Sequence, residues 1–130
     1  MGRKTEATEQ IAVVKYCDFR RFLCFHCPNE QKRDPRQGNF LKQMGMRAGV
    51  PDLIFPESRH EYIGLAIEMK YNGGKTTPDQ EKWLKMLERN GWTCWVCDGY
   101  LEALNVLDWY YDDKPRPGPN ENRYLRRKAG

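Results

Sequence analysis

The sequence predicts an α/β fold: a mixed sheet of about four strands with helices on both faces. Three observations carry this. Segments of helical period alternate with short apolar or alternating runs along the chain. Turn and breaker signals separate them. At 130 residues the chain suits one domain and can bury a core without a metal or disulfide staple.

Residues 5–20 read as the first helix. Thr5 is its N-cap, Glu6 and Glu9 lie in its first turns, and Ile11, Val14, Cys17 and Phe19 form its buried stripe. Phe22 to Cys27 is a short strand that ends at the turn signal Pro28-Asn29. Residues 29–38 are polar and basic, with Pro and Gly, and read as a loop. Asn39 to Met46 is a short helix.

Asp52-Leu53-Ile54-Phe55 is a strand stopped by Pro56, and Tyr62 to Lys70 is the longest strand; together they predict an antiparallel hairpin. Asn72-Gly73-Gly74 is a turn. Thr77-Pro78-Asp79-Gln80 opens a helix, with Thr at N-cap, Pro at N1 and Gln at N3. That helix runs to Asn90, buries Trp83, Leu84 and Leu87, and stops at Gly91. Trp92 to Cys97 is the next strand, and Leu101 to Tyr111 the last amphipathic helix. The expected order is α-β-α-β-β-α-β-α.

This gives a domain over residues 1–111 and a basic, Pro-rich tail over 112–130 without periodicity, expected to be mobile. The chain has 22 basic and 18 acidic residues, a formal charge of +4. Six of the basic and three of the acidic residues lie in the tail, so the body is nearly neutral. A basic tail suits phosphate contacts, but it equally suits a solubilising end. No apolar run approaches the roughly 20 residues of a membrane span, and the first ten residues lack the apolar stretch of a secretory signal. The expectation is an intracellular protein with no membrane partner. Five cysteines, an odd number, argue against a complete disulfide framework.

The chemistry gathers at Pro51-Asp52 and, fifteen residues on, at Glu68-Met69-Lys70. Side chains alternate along a strand, so Glu68 and Lys70 share one face while Leu65, Ile67 and Met69 take the other. The hairpin returns Glu68 towards Asp52. Two carboxylates placed together repel, which a divalent cation relieves. Oxygen ligands favour Mg²⁺ or Mn²⁺. Such an ion polarises a phosphodiester and acidifies a water, and a neighbouring lysine stabilises developing charge. As a bare pattern, Glu-x-Lys also fits the polar face of a surface hairpin, and spacing leaves both readings open.

The matched segments GMRAGVPDLIFP, GLAIEMKYNGGKTTPDQEKWLKML and GWTCWVCDGYLEAL resemble the virus-type replication-repair nuclease (VRR-NUC) domain, a branch of the PD-(D/E)XK nuclease superfamily. Upstream, TEATEQIAVVKY and FHCPNEQKR resemble that family's first helix and following strand and loop, so the resemblance spans about residues 5–111. It implies a restriction-endonuclease-like core and a Mg²⁺- or Mn²⁺-dependent deoxyribonuclease. Asp52 and Glu68 would bind metal, with the Met69 backbone carbonyl as a further ligand, and Lys70 would be catalytic. A helix-1 glutamate completes the set; Glu6, four residues before Gln10, fits the family spacing better than Glu9. Gln80 matches a polar position near the family's active site, although Thr77-x-x-Gln80 is also a capping box in its own right. Lys75 and Arg47 are candidate DNA contacts. Small members of the family resemble phage or bacterial resolvases, which implies a homodimer acting on branched DNA such as Holliday junctions.

The alternative functions are a non-catalytic nucleic-acid-binding module on the same fold and a restriction-like nuclease with sequence preference, and two further readings concern particular residues. Cys24/Cys27 and Cys94/Cys97, with His26, have zinc-like spacing. Both pairs fall on expected strands, where residues three apart point to opposite faces, so core packing is the expectation. Trp83, Trp92, Trp95 and Trp109 could stack on bases, but their spacing suits core or interface packing better.

Overall fold

A computed structural model describes residues 3–28 and 34–118 of the chain. The elements follow the expected order: α1 (Glu6–Arg20), β1 (Phe25–His26), α2 (Pro35–Gln43), β2 (Leu53–Phe55), β3 (Gly64–Lys70), α3 (Pro78–Arg89), β4 (Trp92–Asp98) and α4 (Gly99–Asp112). The sheet runs β1-β2-β3-β4. β1 and β3 lie antiparallel to β2, and β4 lies parallel to β3. The sheet is therefore mixed, and α3 is the crossover that a parallel pair requires.

Alternation along the strands divides the interior in two. Leu53, Phe55, Leu65, Ile67, Met69, Trp95 and Cys97 pack with α1 and α4 on one face. Ala66, Cys94 and Val96 meet Leu84 of α3 on the other. Every residue of β3 is buried, so Glu68 and Lys70, in step with Ala66, carry charge into the second layer where α3 begins.

Several details differ from the sequence expectation. In α1 the buried residues are Val13 and Cys17, whereas Ile11 is 53% and Phe19 82% exposed. The helix turns the Val13–Cys17 row, one turn apart, towards α4 and leaves the Ile11 side to solvent. The expected strand over 22–27 shrinks to two residues. Arg21 adopts a left-handed conformation (φ 63°) that ends α1, and the Phe22 ring stacks on Tyr111 at 3.7 Å instead of joining the sheet.

The second helix starts at Pro35, inside the expected loop, and its last residue is Gln43 rather than Met46. Asp34 is its N-cap, accepting from the Arg36 and Gln37 N–H groups at 2.8 and 3.2 Å, and Pro35 takes N1. Read for caps rather than polarity, Asp-Pro is a helix start. Residues 29–33 of the expected loop lie outside the described residues.

The tail's first residues lie on the body. Pro117 is buried, and the Arg116 guanidinium sits 5.1 Å from the Trp95 ring and 5.0 Å from the Trp109 ring. Arg116 also donates to the Tyr62 hydroxyl at 3.2 Å. Residues 119–130, with most of the tail's basic residues, lie outside the described residues. Trp95 and Trp109 are buried, as expected of core residues. Cys94 and Cys97 are buried on opposite faces of the sheet, so their spacing does not bring the sulfurs together. Among the described residues no helix is long and apolar enough to cross a membrane.

Gly49 sets how closely the loop before β2 approaches α3. Its φ is +89°, and a Cβ there would stand 2.5 Å from the Asp79 backbone carbon. Gly73 has a similar φ of +86° but open space around it. Gly49→Ala should therefore cost more than the left-handed strain of about 1–2 kcal/mol, and Gly73→Ala about that strain alone. Urea unfolding of the two variants checks this; equal losses would show that the close approach at Gly49 carries no penalty.

Candidate active site

The hairpin register builds the site. Leu53 pairs with Ile67, so one residue further along the ladder Asp52 stands opposite Glu68. The Asp52 carboxylate accepts from the Met69 N–H at 2.8 Å, which anchors it across the strand gap. On the other side, the Asp52 carbonyl lies 2.8 Å from His26 Nδ1 and accepts the Cys27 N–H at 3.1 Å. The same ring nitrogen lies 3.1 Å from Gln10 Nε2, so α1 also meets this end of β1. β1, short as it is, therefore serves to hold Asp52.

Glu68 is the buried centre, at 2% exposure. Its Oε2 accepts from Gln80 Nε2 at 3.1 Å and lies 3.4 Å from Lys70 Nζ. Its Oε1 is buried with no hydrogen-bond partner. Burial pushes the Glu68 carboxyl up to about 9. The Asp52 carboxylate adds to the rise, and Lys70 opposes it without winning.

Gln80 reaches Glu68 from the first turn of α3. Its side-chain oxygen accepts the Thr77 N–H at 2.9 Å, and its own N–H donates to Thr77 Oγ1 at 3.2 Å. The capping box is thus complete, and the remaining amide hydrogens point into the site. One amide thus serves two partners: its oxygen caps the helix and its nitrogen bonds the Glu68 carboxyl.

Glu6 and Glu9 part company. Glu6 lines a cavity of about 380 Å³ together with Ala48, Gly49, Val50, Asp52, Glu68, Thr77, Asp79 and Gln80. Partial burial raises the Glu6 carboxyl; Lys70 lowers it by less, and Asp52 adds a smaller rise. Glu9 instead turns to α4, where its Oε1 accepts the Tyr100 N–H at 3.0 Å. The reason lies in Asp98, the residue before α4. Its side chain makes no cap bond to the helix and accepts the Gly73 N–H at 3.1 Å instead. Glu9 joins Glu102, which accepts the Asp98 N–H at 2.9 Å, in placing negative charge at the α4 N-terminus.

The structure brings Asp52, Glu68, Lys70, Gln80 and Glu6 to one place. Arg47 is exposed at the rim, its guanidinium donating to the Lys42 and Met46 carbonyls at 3.0 and 3.2 Å. Lys75 is exposed and does not line the cavity. Sequence reasoning passed over Asp79, which faces the cavity from the start of α3. Its signal was available: a helix whose N3 residue enters the site brings its N2 residue to the rim.

Among the described residues no three of His, Cys, Asp and Glu already stand as a closed metal cluster. The donor set is instead two converging carboxylates, one of them with an unpartnered buried oxygen. That set fits a hard cation that keeps several waters, as Mg²⁺ does. It lacks the nitrogen and sulfur ligands of a structural zinc site.

Comparison with known proteins identifies the family. The sequence profile of the VRR-NUC domain matches residues 4–100. A solved structure described as a VRR_NUC domain protein is similar at 28% sequence identity, with a TM-score of 0.74 over 91% of this chain and 97% of that one. No curated protein matches.

The buried Glu68 has a thermodynamic consequence. Its folded value, about 9, lies above the ordinary 4.5, so at intermediate pH the folded chain holds a proton that the unfolded chain has released. Stability of the metal-free protein should then fall as pH rises from about 5 to about 9 and level off above that. Thermal melts in a chelating buffer check the sign. Glu68→Gln, which cannot ionise, should flatten the profile; an unchanged slope would assign the effect to other groups.

Proposed function

This chain belongs to the VRR-NUC domain family, a nuclease-type domain, and from that premise we propose that it is a metal-dependent DNA endonuclease hydrolysing phosphodiester bonds. The observation that carries the proposal is the convergence of Asp52, Glu68 and Lys70, with one oxygen of the buried Glu68 left without a partner. An unpaired buried carboxylate oxygen is costly, and its persistence is explained if a ligand completes it.

Asp52 and Glu68 would hold Mg²⁺ or Mn²⁺, with Glu6 on the cavity wall and the Met69 carbonyl as further ligands. When bound, the ion supplies Lewis-acid polarisation of the phosphate and a more acidic water. The protein's own groups do the rest. The Met69 N–H fixes Asp52, and Gln80 fixes Glu68, so neither carboxylate has to be ordered when substrate arrives. The Lys70 ammonium, 8% exposed, is held beside Glu68, where it orients a water or stabilises charge developing on the phosphate. The N-terminus of α3 presents positive dipole charge to the same cavity.

Substrate structure follows the family resemblance: branched DNA, Holliday junctions included, cut by a homodimer whose two-fold axis matches a symmetric junction. Lys75 and Arg47 are exposed and available to backbone phosphates.

Cleavage of labelled duplex, flap and four-way DNA with Mg²⁺ or Mn²⁺ tests the reading. Lys70→Ala should reduce the rate by about 100-fold or more and leave the fold intact. Equal inactivity of wild type and Lys70→Ala on every substrate and with either metal would refute the enzyme. The two helix-1 glutamates separate by outcome. Glu6→Gln should lower the cleavage rate, whereas Glu9→Gln should lower thermal stability by about 1 kcal/mol and spare catalysis. The reverse pattern would exchange their roles.

A further inference from the structure

The second helix has no buried residue. Gly38 and Leu41 are its only half-buried positions, and they lie on one side of the helix. Helical spacing gathers Arg36, Asn39, Phe40 and Gln43 on the opposite side. All four are exposed, Phe40 at 60%. The helix carries two cations, Arg36 and Lys42, and no carboxylate.

This face is tied to the active-site rim. The Met46 N–H donates to the Leu41 carbonyl at 2.9 Å, and Arg47 donates to the Lys42 carbonyl at 3.0 Å, closing the C-terminal end of α2. The chain then passes directly into Ala48, Gly49 and Val50, which line the cavity. From Gln43 to Ala48 it spans at most about 18 Å, about the length of five nucleotides at the 3.4 Å rise of B-DNA. Gly49 is wedged against the Asp79 backbone, so the connection is fixed by packing.

We propose that the outward face of α2 binds the DNA strand beside the scissile phosphate, with Phe40 stacking on an unpaired base and Arg36, Asn39 and Gln43 bonding base edges or phosphates. The inference rests on the nuclease reading of the adjoining cavity. The side-chain chemistry selects the partner. Guanidinium and carboxamide groups match the donor and acceptor edges of bases, and an exposed ring flanked by them is a stacking platform that works only where a base is unstacked. Arg36 and Lys42 leave the helix net positive even with Asp34 at its N-cap, which complements a phosphate backbone. A second protein copy is a poorer occupant. A stable interface takes about 800 Å² per partner around an apolar centre, and this helix, about 14 Å long, offers only Phe40 and, one turn on, the exposed Met44 of its C-cap.

The test measures binding by fluorescence anisotropy in Ca²⁺, with a blunt duplex and with the same duplex carrying a single-stranded arm. Phe40→Ala should weaken binding of the armed DNA about tenfold or more and leave the blunt duplex nearly unchanged. Phe40→Trp should restore it. Hydrolysis of a small aryl phosphodiester, too short to reach α2, should be the same in all three proteins. Wild-type affinity of Phe40→Ala for armed DNA would overturn the inference, as would a change in the monomer–dimer midpoint on sedimentation without a change in DNA binding. If wild type binds armed DNA through Phe40 but cuts nothing, the nuclease reading fails and the binding face stands.

Discussion

The structure turns on one carboxyl group held out of water. Glu68 lies on a strand whose every residue is buried, opposite Asp52 across the hairpin. Hydrophobic packing of Leu53, Leu65, Ile67 and Met69 on the far face fixes the strand register. A slip of one residue would exchange the faces, sending Glu68 and Lys70 into the apolar core. The apolar layer thus enforces the position of the charged one. The raised Glu68 carboxyl records the cost of that placement.

The surroundings of Glu68 spread that cost over groups that also have structural work. Gln80 closes a capping box with one end of its amide and grips Glu68 with the other. Asp52 bonds the Met69 N–H and is braced from behind by β1. Along α1, two glutamates less than one turn apart divide between tasks: Glu6 faces the cavity, and Glu9 serves the start of α4. Positions that hold the site are therefore also positions that hold the fold.

Much of this was legible in the sequence because it depends on short-range rules. Strand alternation placed Glu68 and Lys70 on one face, and Pro56 and Asn72-Gly73-Gly74 bounded the hairpin. The Thr77–Gln80 capping box gave the start of α3 to the residue. What was not legible depends on partners distant in sequence. Whether α1 buries Ile11 or Val13 is decided by where α4 packs, and Phe22 leaves the sheet because Tyr111 offers it a ring. The preference for Glu6 over Glu9 comes from the family resemblance alone, and what Glu9 does instead depends on Asp98 bonding the distant Gly73. The start of α2 was a failure of another kind, since Asp34-Pro35 carried the cap signal and the polar composition around it obscured that signal.

On the proposed function, Asp52 and Glu68 would form a site completed by a divalent cation, with Glu68 protonated in its absence. Titration calorimetry with Mn²⁺ near pH 7, repeated in buffers of different ionisation enthalpy, tests this most directly. Binding should be saturable and release about one proton per chain, because a carboxyl pushed up to about 9 must ionise to ligate, and Glu68→Gln should abolish both binding and release. Equal Mn²⁺ affinity in wild type and Glu68→Gln, or wild-type binding without proton release, would contradict it.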